Sequence, residues 1–552
     1  MKRIAIIVVY CLLSFILCPI RAKDTTYVSG AIQHEGLLDW TPVMYHSNSY
    51  VDLSVHHLRR DTNKLQFIGI RATTRAELTQ WPLLGYEEDF PGYGISHLSL
   101  AANFNWGEIT VGDVYGQFGS GLILNLYEDR ALGMDGALRG GKIALQPYKG
   151  LEITLLGGKQ RRYWQCYKDH AFGWNYTRNA ALGADLEIHI EQWSQRMQEL
   201  EMGLTIGGSY VSKYEHDDTI VTIVDNTPYR YRLPLWVGAG DIRAEWQMKG
   251  WNILVEYAYK ANDPSADNNY SYRHGDALLA SVSYSRKGLA VLAQIKRSDN
   301  MSFRAERTRT GIAGRLNQMP AFAQQHTYSL ATQYPYATQY ANGEWAFQGE
   351  VRYTFAKKTR MGGKYGTSLK LAASHIRGLA GEGSWAVDAT PEGEYYTDIN
   401  LEFNKRLSQR WWLNAMLMYQ AYNQKVVEGE GGMIRGGLAV LDARFRVNKN
   451  VSMHGELQYF YTPHHEGQWI YALYELNLYN CVTITADYSY NIGFAPAATN
   501  EHFYNFLVTY THKAHQLTVG YTKTQGGFNC SGGICRYIPR QKGVTLSYNF
   551  SW

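Results

Sequence analysis

The sequence predicts an all-β fold: a single large transmembrane antiparallel β-barrel of roughly 24 strands, within a range of about 20–26. Three observations predict it. The chain opens on an export signal and has no later apolar run long enough for a helical span. Its composition is rich in aromatic residues and glycine and poor in proline. Apolar and polar residues alternate in short runs up to the last residue.

The export signal comes first. Lys2 and Arg3 precede an apolar run over residues 4–17, interrupted only by Ser14. That run is too short to cross a bilayer and has the charge and length of a secretory signal. The expected division is a signal peptide over residues 1–22, cleaved after Ala22, and a barrel over residues 23–552. Lipidation at Cys18 is the competing reading, but Leu17 stands where a small residue is needed. An exported chain without a helical span either floats free or closes into a barrel, because an open sheet edge cannot face lipid.

Composition agrees with a large sheet. The 552 residues include 43 Tyr, 15 Trp, 18 Phe and 53 Gly against 14 Pro, and β-structure favours aromatics while excluding proline from its interior strands. A large soluble all-β protein would share that composition. The formal net charge of +5 falls to about +2 once Lys2, Arg3 and Arg21 leave with the signal. No basic stripe of the kind nucleic acid requires is present.

The alternation carries the most weight. In the last strand Val544, Leu546, Tyr548, Phe550 and Trp552 fall on one face, and Thr545, Ser547, Asn549 and Ser551 on the other, as the two-residue period of a strand demands. The runs from Val482, Tyr504, Leu517 and Ile399 repeat the pattern, and the run from Trp411 adds Met416 and Met418 to its second face. Further strands are expected at 50–58, 65–78, 95–104, 108–114, 122–127, 138–146, 151–159, 181–190, 204–213 and 237–248. Others are expected at 253–259, 278–285, 289–296, 347–355 and 368–376. Period alone does not separate a sandwich from a membrane barrel, since one is the other turned inside out. The aromatic ends do: apolar faces finish on Tyr419, Tyr461, Tyr490, Tyr510, Tyr521 and Trp552, as interface girdles require. Tyr548, Phe550 and Trp552, with the chain stopping on an aromatic residue inside its last strand, resemble the terminal-strand signal of bacterial outer-membrane barrels. Strand-like sequence from Tyr27 leaves no room for the plug domain of a TonB-dependent transporter.

Several stretches stand apart from the strands. Residues 112–122, GDVYGQFGSGL, are dense in glycine and read either as a kink carrying Asp113, Tyr115 and Glu128 to a lumen site or as a packed barrel corner. Glu128, Asp129, Arg130 and Arg139 read as paired lumen charges. Residues 296–342 are the longest run without alternation. They carry Arg304, Arg307, Arg309 and Arg315, and fold either into the lumen as a constriction facing anionic solutes or outward as a solvated loop. His56-His57 and His464-His465 lack ligand spacing, so no metal site is expected. No catalytic motif and no cofactor site is legible, and an enzyme is not expected. Cys530 and Cys535 flank a Gly-Gly turn and are expected to form a disulfide in an oxidising compartment. Cys166 and Cys481 are isolated.

The stretches at 112–143, 295–309 and 320–339, with NCSGGICRYIP at 529–539, resemble an uncharacterised family of outer-membrane proteins of the Bacteroidota, filed as a domain of unknown function. The resemblance runs nearly the length of the mature chain. It implies an outer-membrane barrel and brings no activity, substrate or catalytic residue. The family has an acidic residue where Gly116 stands here, which removes one charge if that position lines the lumen.

Two functions remain open. One is a channel or transporter moving solutes through a polar lumen such as that offered by Thr483, Thr485, Asp487 and Ser489. The other is a structural or assembly component of a surface or secretion complex, which would add a protein partner. In both, the partners are outer-membrane lipid and the barrel-insertion machinery. The chain is expected to start and end in the periplasm, with the Cys530–Cys535 turn in the last external loop.

Overall fold

The structure, a computed structural model, describes residues 25–552 apart from 41–42, 59–66, 81–91, 131, 162–177, 217–218, 494 and 496–498. The expected signal peptide and Cys166 lie outside the described residues.

Alternating residues make strands here because each strand has two different environments to satisfy. Along His502–His512 the side chains of Tyr504, Phe506, Val508 and Tyr510 are exposed. Between them, Asn505 donates to Asp487 at 2.9 Å and Thr509 shares a hydrogen bond with Thr518 at 2.9 Å, both on the opposite face. Repeating that choice strand by strand gives a sheet whose outer rows are apolar and whose inner rows bond to one another. The sheet has 24 antiparallel strands, each paired with its neighbours in the chain. It is closed: the first strand, Thr25–Trp40, pairs with the last, Gln541–Ser551. At this seam Gly30 and Trp552 exchange two backbone hydrogen bonds of 3.1 and 3.0 Å. The Trp552 ring occupies the space that a side chain at position 30 would need.

The longest connections gather at one end of the barrel. Thr25, the first described residue, and Trp552 lie at the end with tight turns such as 249–250, 287–288, 479–481 and 513–514. The opposite end carries the long connections 115–137, 215–235, 300–343 and 525–540.

One expected strand is not in the wall. Residues 122–127 contribute only Asn125–Leu126, which pairs with Gly116–Gln117 in a two-residue ladder inside the barrel. Leu122, Ile123 and Leu124 are fully buried. Three consecutive apolar side chains cannot alternate between lipid and a polar lumen, so the run suits a core with apolar neighbours on both faces. The first strand, Thr25–Trp40, is longer than its weak alternation suggests. It is held by sixteen-residue pairing with Val43–Leu58.

The result is a barrel with a core of its own. Phe118, Leu122, Ile123 and Leu124 pack with Phe303, Leu316, Tyr334 and Tyr336, and these meet wall residues Val211, Ala258, Tyr396, Tyr422 and Trp469 in one buried cluster. A ring of this many strands is wide enough to leave an aqueous channel or to need filling. Here segments of the chain itself do the filling.

Candidate functional site

The site is the lumen, and it is built from inward-facing wall charges that grip three infolded connections. Lys213, Lys260 and Lys296 sit on inner rows of their strands and are fully buried. Lys213 donates to the Arg304 carbonyl at 2.8 Å and pairs with Asp263 at 2.8 Å. Lys260 donates to the Ser302 carbonyl at 2.6 Å. Lys296 pairs with Glu344 at 2.6 Å and donates to the Pro320 carbonyl. A buried ammonium needs both a counter-charge and acceptors, and the connection 300–343 provides acceptors through its backbone.

That connection crosses the barrel. After Pro320 it reaches other strands: the Gln324 amide donates to Ser374 at 3.1 Å, His326 bonds Asp398 at 2.5 Å, and the Leu330 amide donates to Gln458 at 2.8 Å. It returns through Tyr336, whose hydroxyl donates to Glu344. Burial, and then that carboxylate, hold the Tyr336 hydroxyl well above its ordinary pKa, so it stays a donor.

Of the four arginines that a constriction would turn toward solutes, two are held by neighbouring connections instead. Arg304 is buried and pairs with Asp267 at 2.6 Å. Arg307 is buried and pairs with Glu215 at 3.1 Å. Their charges are spent on attachment, because a buried guanidinium takes up nearby carboxylates and carbonyls before any solute. Arg309 pairs with Glu306 at 3.1 Å, and Arg315 lies 3.9 Å over the Tyr340 ring.

The glycine-dense stretch begins the second infolded connection, 115–137. It is neither a simple kink nor a corner packed on the adjacent strand. It reaches across the lumen, where the Ser120 amide donates to Glu256 at 2.8 Å. Gly119 has φ of 49°, and a Cβ there would sit 2.7 Å from the Glu256 carboxylate, so only glycine permits the approach. The two connections lace together: the Asn125 amide donates to the Leu316 carbonyl at 2.7 Å, and Asn317 donates to the Leu122 carbonyl at 2.9 Å. A side chain at Gly116 would run against Leu156.

The charged residues singled out from sequence here form two networks. Asp113 is bound by Arg139 on the neighbouring strand and by the Leu98 amide at 2.7 Å. Glu128 pairs with Arg75 at 2.5 Å and with Arg130 at 3.1 Å, and Arg130 also reaches Asp52 at 3.3 Å. Tyr115 donates to Asp135 at 3.0 Å, and Asp135 also binds Arg161. Sequence reasoning missed Arg75, Arg161, Lys213, Lys260 and Glu344, and met Lys296 only as the first charge of the stretch without alternation. Apart from Arg161, which follows the strand Leu151–Gln160, their signal is a charge within an otherwise amphipathic strand.

The third infolded piece is a hairpin, Gly527–Ser531 with Ile534–Ile538. Cys530 and Cys535 stand opposite each other in it, Cα atoms 4.1 Å apart, and are disulfide-bonded. The hairpin lies at the long-connection end as expected, but it leans inward. The Gly533 carbonyl accepts from the Thr338 amide at 3.0 Å, and Ile534 is buried with Leu132 and Met134. Cys481 is a free cysteine.

Between these pieces lie two cavities. One of about 530 Å³ is lined by Gln294, Gln318, Phe322, Gln348 and Glu350, among others. Another of about 340 Å³ is lined by His326, Tyr336, Tyr396, Phe528 and Asn529, among others. Both share Ala321, Ala323, Gln324, Gln325 and Gly532 as a common wall.

The histidine pairs do other work. His56 stacks on Tyr27 with centroids 4.5 Å apart, His57 bonds Thr26 at 2.8 Å, and His465 bonds Tyr334 at 3.2 Å. Asp442, His454 and Glu456 bring ligand-type atoms within 4.8 Å of one another. His454 and Asn414 already bond Asp442, at 2.8 and 3.1 Å, which gives that group a structural explanation.

A family profile of unknown function, DUF6029, matches residues 1–552. The chain belongs to DUF6029. No protein with a curated description matches this DUF6029 chain in sequence. Among solved structures it is similar to OccAB2 of Acinetobacter baumannii, with TM-score 0.35 and 8% identity over 96% of this chain and 98% of that one. It is similar to the siderophore receptor PirA of Pseudomonas aeruginosa, with TM-score 0.42 and 9% identity over 97% and 81%. It is also similar to the P pilus usher PapC translocation pore, with TM-score 0.39 and 9% identity over 96% and 99%. At such identities nothing of their cargo transfers to DUF6029.

Proposed function

We propose that this DUF6029 chain is an outer-membrane channel that passes small solutes through a lumen narrowed by its own connections. The observation that carries the reading is the inversion of faces. Rows such as Leu417, Tyr419, Leu441, Leu457 and Tyr459 are exposed on the outside, whereas charged and amide side chains turn inward around cavities. Such a surface is costly in water and suited to lipid. The signal peptide over residues 1–22 exports the chain, and the insertion machinery reads Tyr548, Phe550 and Trp552. The tight turns and both termini then face the periplasm.

A second reading is favoured by one observation, the apolar core within the lumen. A barrel that packs its interior this tightly also suits an anchoring or assembly component held shut until a protein partner binds.

The test is swelling of liposomes carrying the purified protein in isotonic solutes. The channel reading expects swelling that is faster than in empty liposomes and falls off as solute size passes that of a disaccharide. No swelling in any solute, with the protein shown to be inserted, would overturn it in favour of the closed component.

A further inference from the structure

We infer that the paired cavities form a binding site for a neutral carbohydrate, a deepening that rests on the channel reading. The lining of both cavities contains neither lysine nor arginine. Across the two, the one carboxylate is Glu350, on the inner row of Glu344–Phe355. Selectivity for anions would require exposed positive charge in the path, and Arg304 and Arg307 are buried in ion pairs with Asp267 and Glu215.

What the lining offers instead is amide. Gln294 and Gln348 are directly paired across adjacent strands, and Gln318, Gln324 and Gln325 come from the infolded connection. Gln318 is already engaged by Asn125 at 2.8 Å and by the Gly532 carbonyl at 3.3 Å. Gln324, Gln325 and Gln348 make no side-chain hydrogen bond among the described residues. Each half-open amide presents two donors and an acceptor, which matches ligands whose groups both donate and accept, as hydroxyls do. Charged ligands gain less from such a lining than they lose in hydration.

Aromatic rings complete the chemistry. Phe322 lines the first cavity, and Tyr336, Tyr396 and Phe528 line the second. Amides beside ring faces bind the hydroxyl edge and the C–H face of a sugar ring together. Cavities of about 530 and 340 Å³ sharing one wall each fall within the span of small-ligand sites, roughly 300–1,000 Å³. Gln348 and Glu350 lie farther down their strand, toward the tight turns, and Tyr396 lies near the long-connection start of its own. The shared wall at Gln324 and Gln325 therefore stands between the two ends of the barrel.

The test is calorimetric titration of the full-length protein in detergent with three probes: maltotriose, the trimer of N-acetylglucosamine, and citrate. The expected result is saturable binding of at least one trisaccharide and none of citrate. The Gln324→Ala/Gln348→Ala variant should bind that sugar about fivefold or more weakly, since each amide contributes hydrogen bonds of modest net worth. Both positions are half-buried and outside the buried ion pairs, so the fold should survive, and unchanged heat-modifiable mobility checks it. Binding of citrate in preference to sugar, absence of saturable sugar binding, or equal sugar affinity in the variant would each overturn the inference. The swelling assay separates the two failures. Swelling without sugar binding leaves the channel standing and this inference lost, while sugar binding without swelling does the reverse.

Discussion

Excising residues 303–338 is expected to raise the single-channel conductance about tenfold or more. The segment is the main obstruction in a ring of 24 strands, and rings of 16–18 strands already leave an aqueous channel. The excision is geometrically mild, because the Met301 amide donates to the Tyr340 carbonyl at 2.8 Å. The cut ends therefore lie side by side, and a Gly-Gly bridge closes them. Lys213 and Lys296 lose the Arg304 and Pro320 carbonyls but gain water, which solvates an ammonium well, and Lys260 keeps the Ser302 carbonyl. The apolar face of 115–137 loses Phe303 and Leu316 as neighbours, so that connection is expected to loosen too. Planar-bilayer recording reads the result. A variant that inserts, and yet conducts like the intact protein, would show that this connection does not set the bore.

The second large effect is on stability. Lys296→Met should destabilise the barrel by about 3–5 kcal/mol, the usual consequence of leaving one buried charge without its partner. The Lys296–Glu344 contact is 2.6 Å with both side chains wholly buried. The Glu344 carboxylate also takes the Gln339 amide at 2.9 Å and the Tyr336 hydroxyl. A single substitution therefore disturbs the infolded connection at its middle, Pro320, and at its end, Tyr336 and Gln339. Lys296→Met/Glu344→Gln should recover at least about 2 kcal/mol of the loss, because a neutral amide keeps hydrogen bonds without a stranded charge. Urea unfolding in lipid vesicles measures both. A single variant within about 1 kcal/mol of the parent would mean that the pair does not hold the segment.

The wall of the barrel was legible in the sequence, and its contents were not. Strands such as His502–His512 and Gln541–Ser551 announce themselves because lipid and lumen impose opposite chemistry on successive residues. The same rule misplaced residues 122–127, where an apolar run carried strand-like residues without alternation. The infolding of 300–343 leaves no periodic trace, since its path is set by single contacts with distant strands, such as Gln324 with Ser374 and Leu330 with Gln458. The arginines at 304 and 307 drew notice for their charge. Their carboxylates, Asp267 and Glu215, lie 37 and 92 residues away, so pairing was invisible until the chain was folded. The Cys530–Cys535 link was legible because both partners and the turn between them are local.

The central claim is that the alternating rows face lipid and lumen, and spin labels placed singly at residues 504–509 in the protein reconstituted into vesicles test it most directly. The account predicts that labels at 504, 506 and 508 collide with oxygen dissolved in the bilayer, while those at 505, 507 and 509 do not. Equal access of all six to a water-soluble nickel reagent, with no two-residue period, would contradict it.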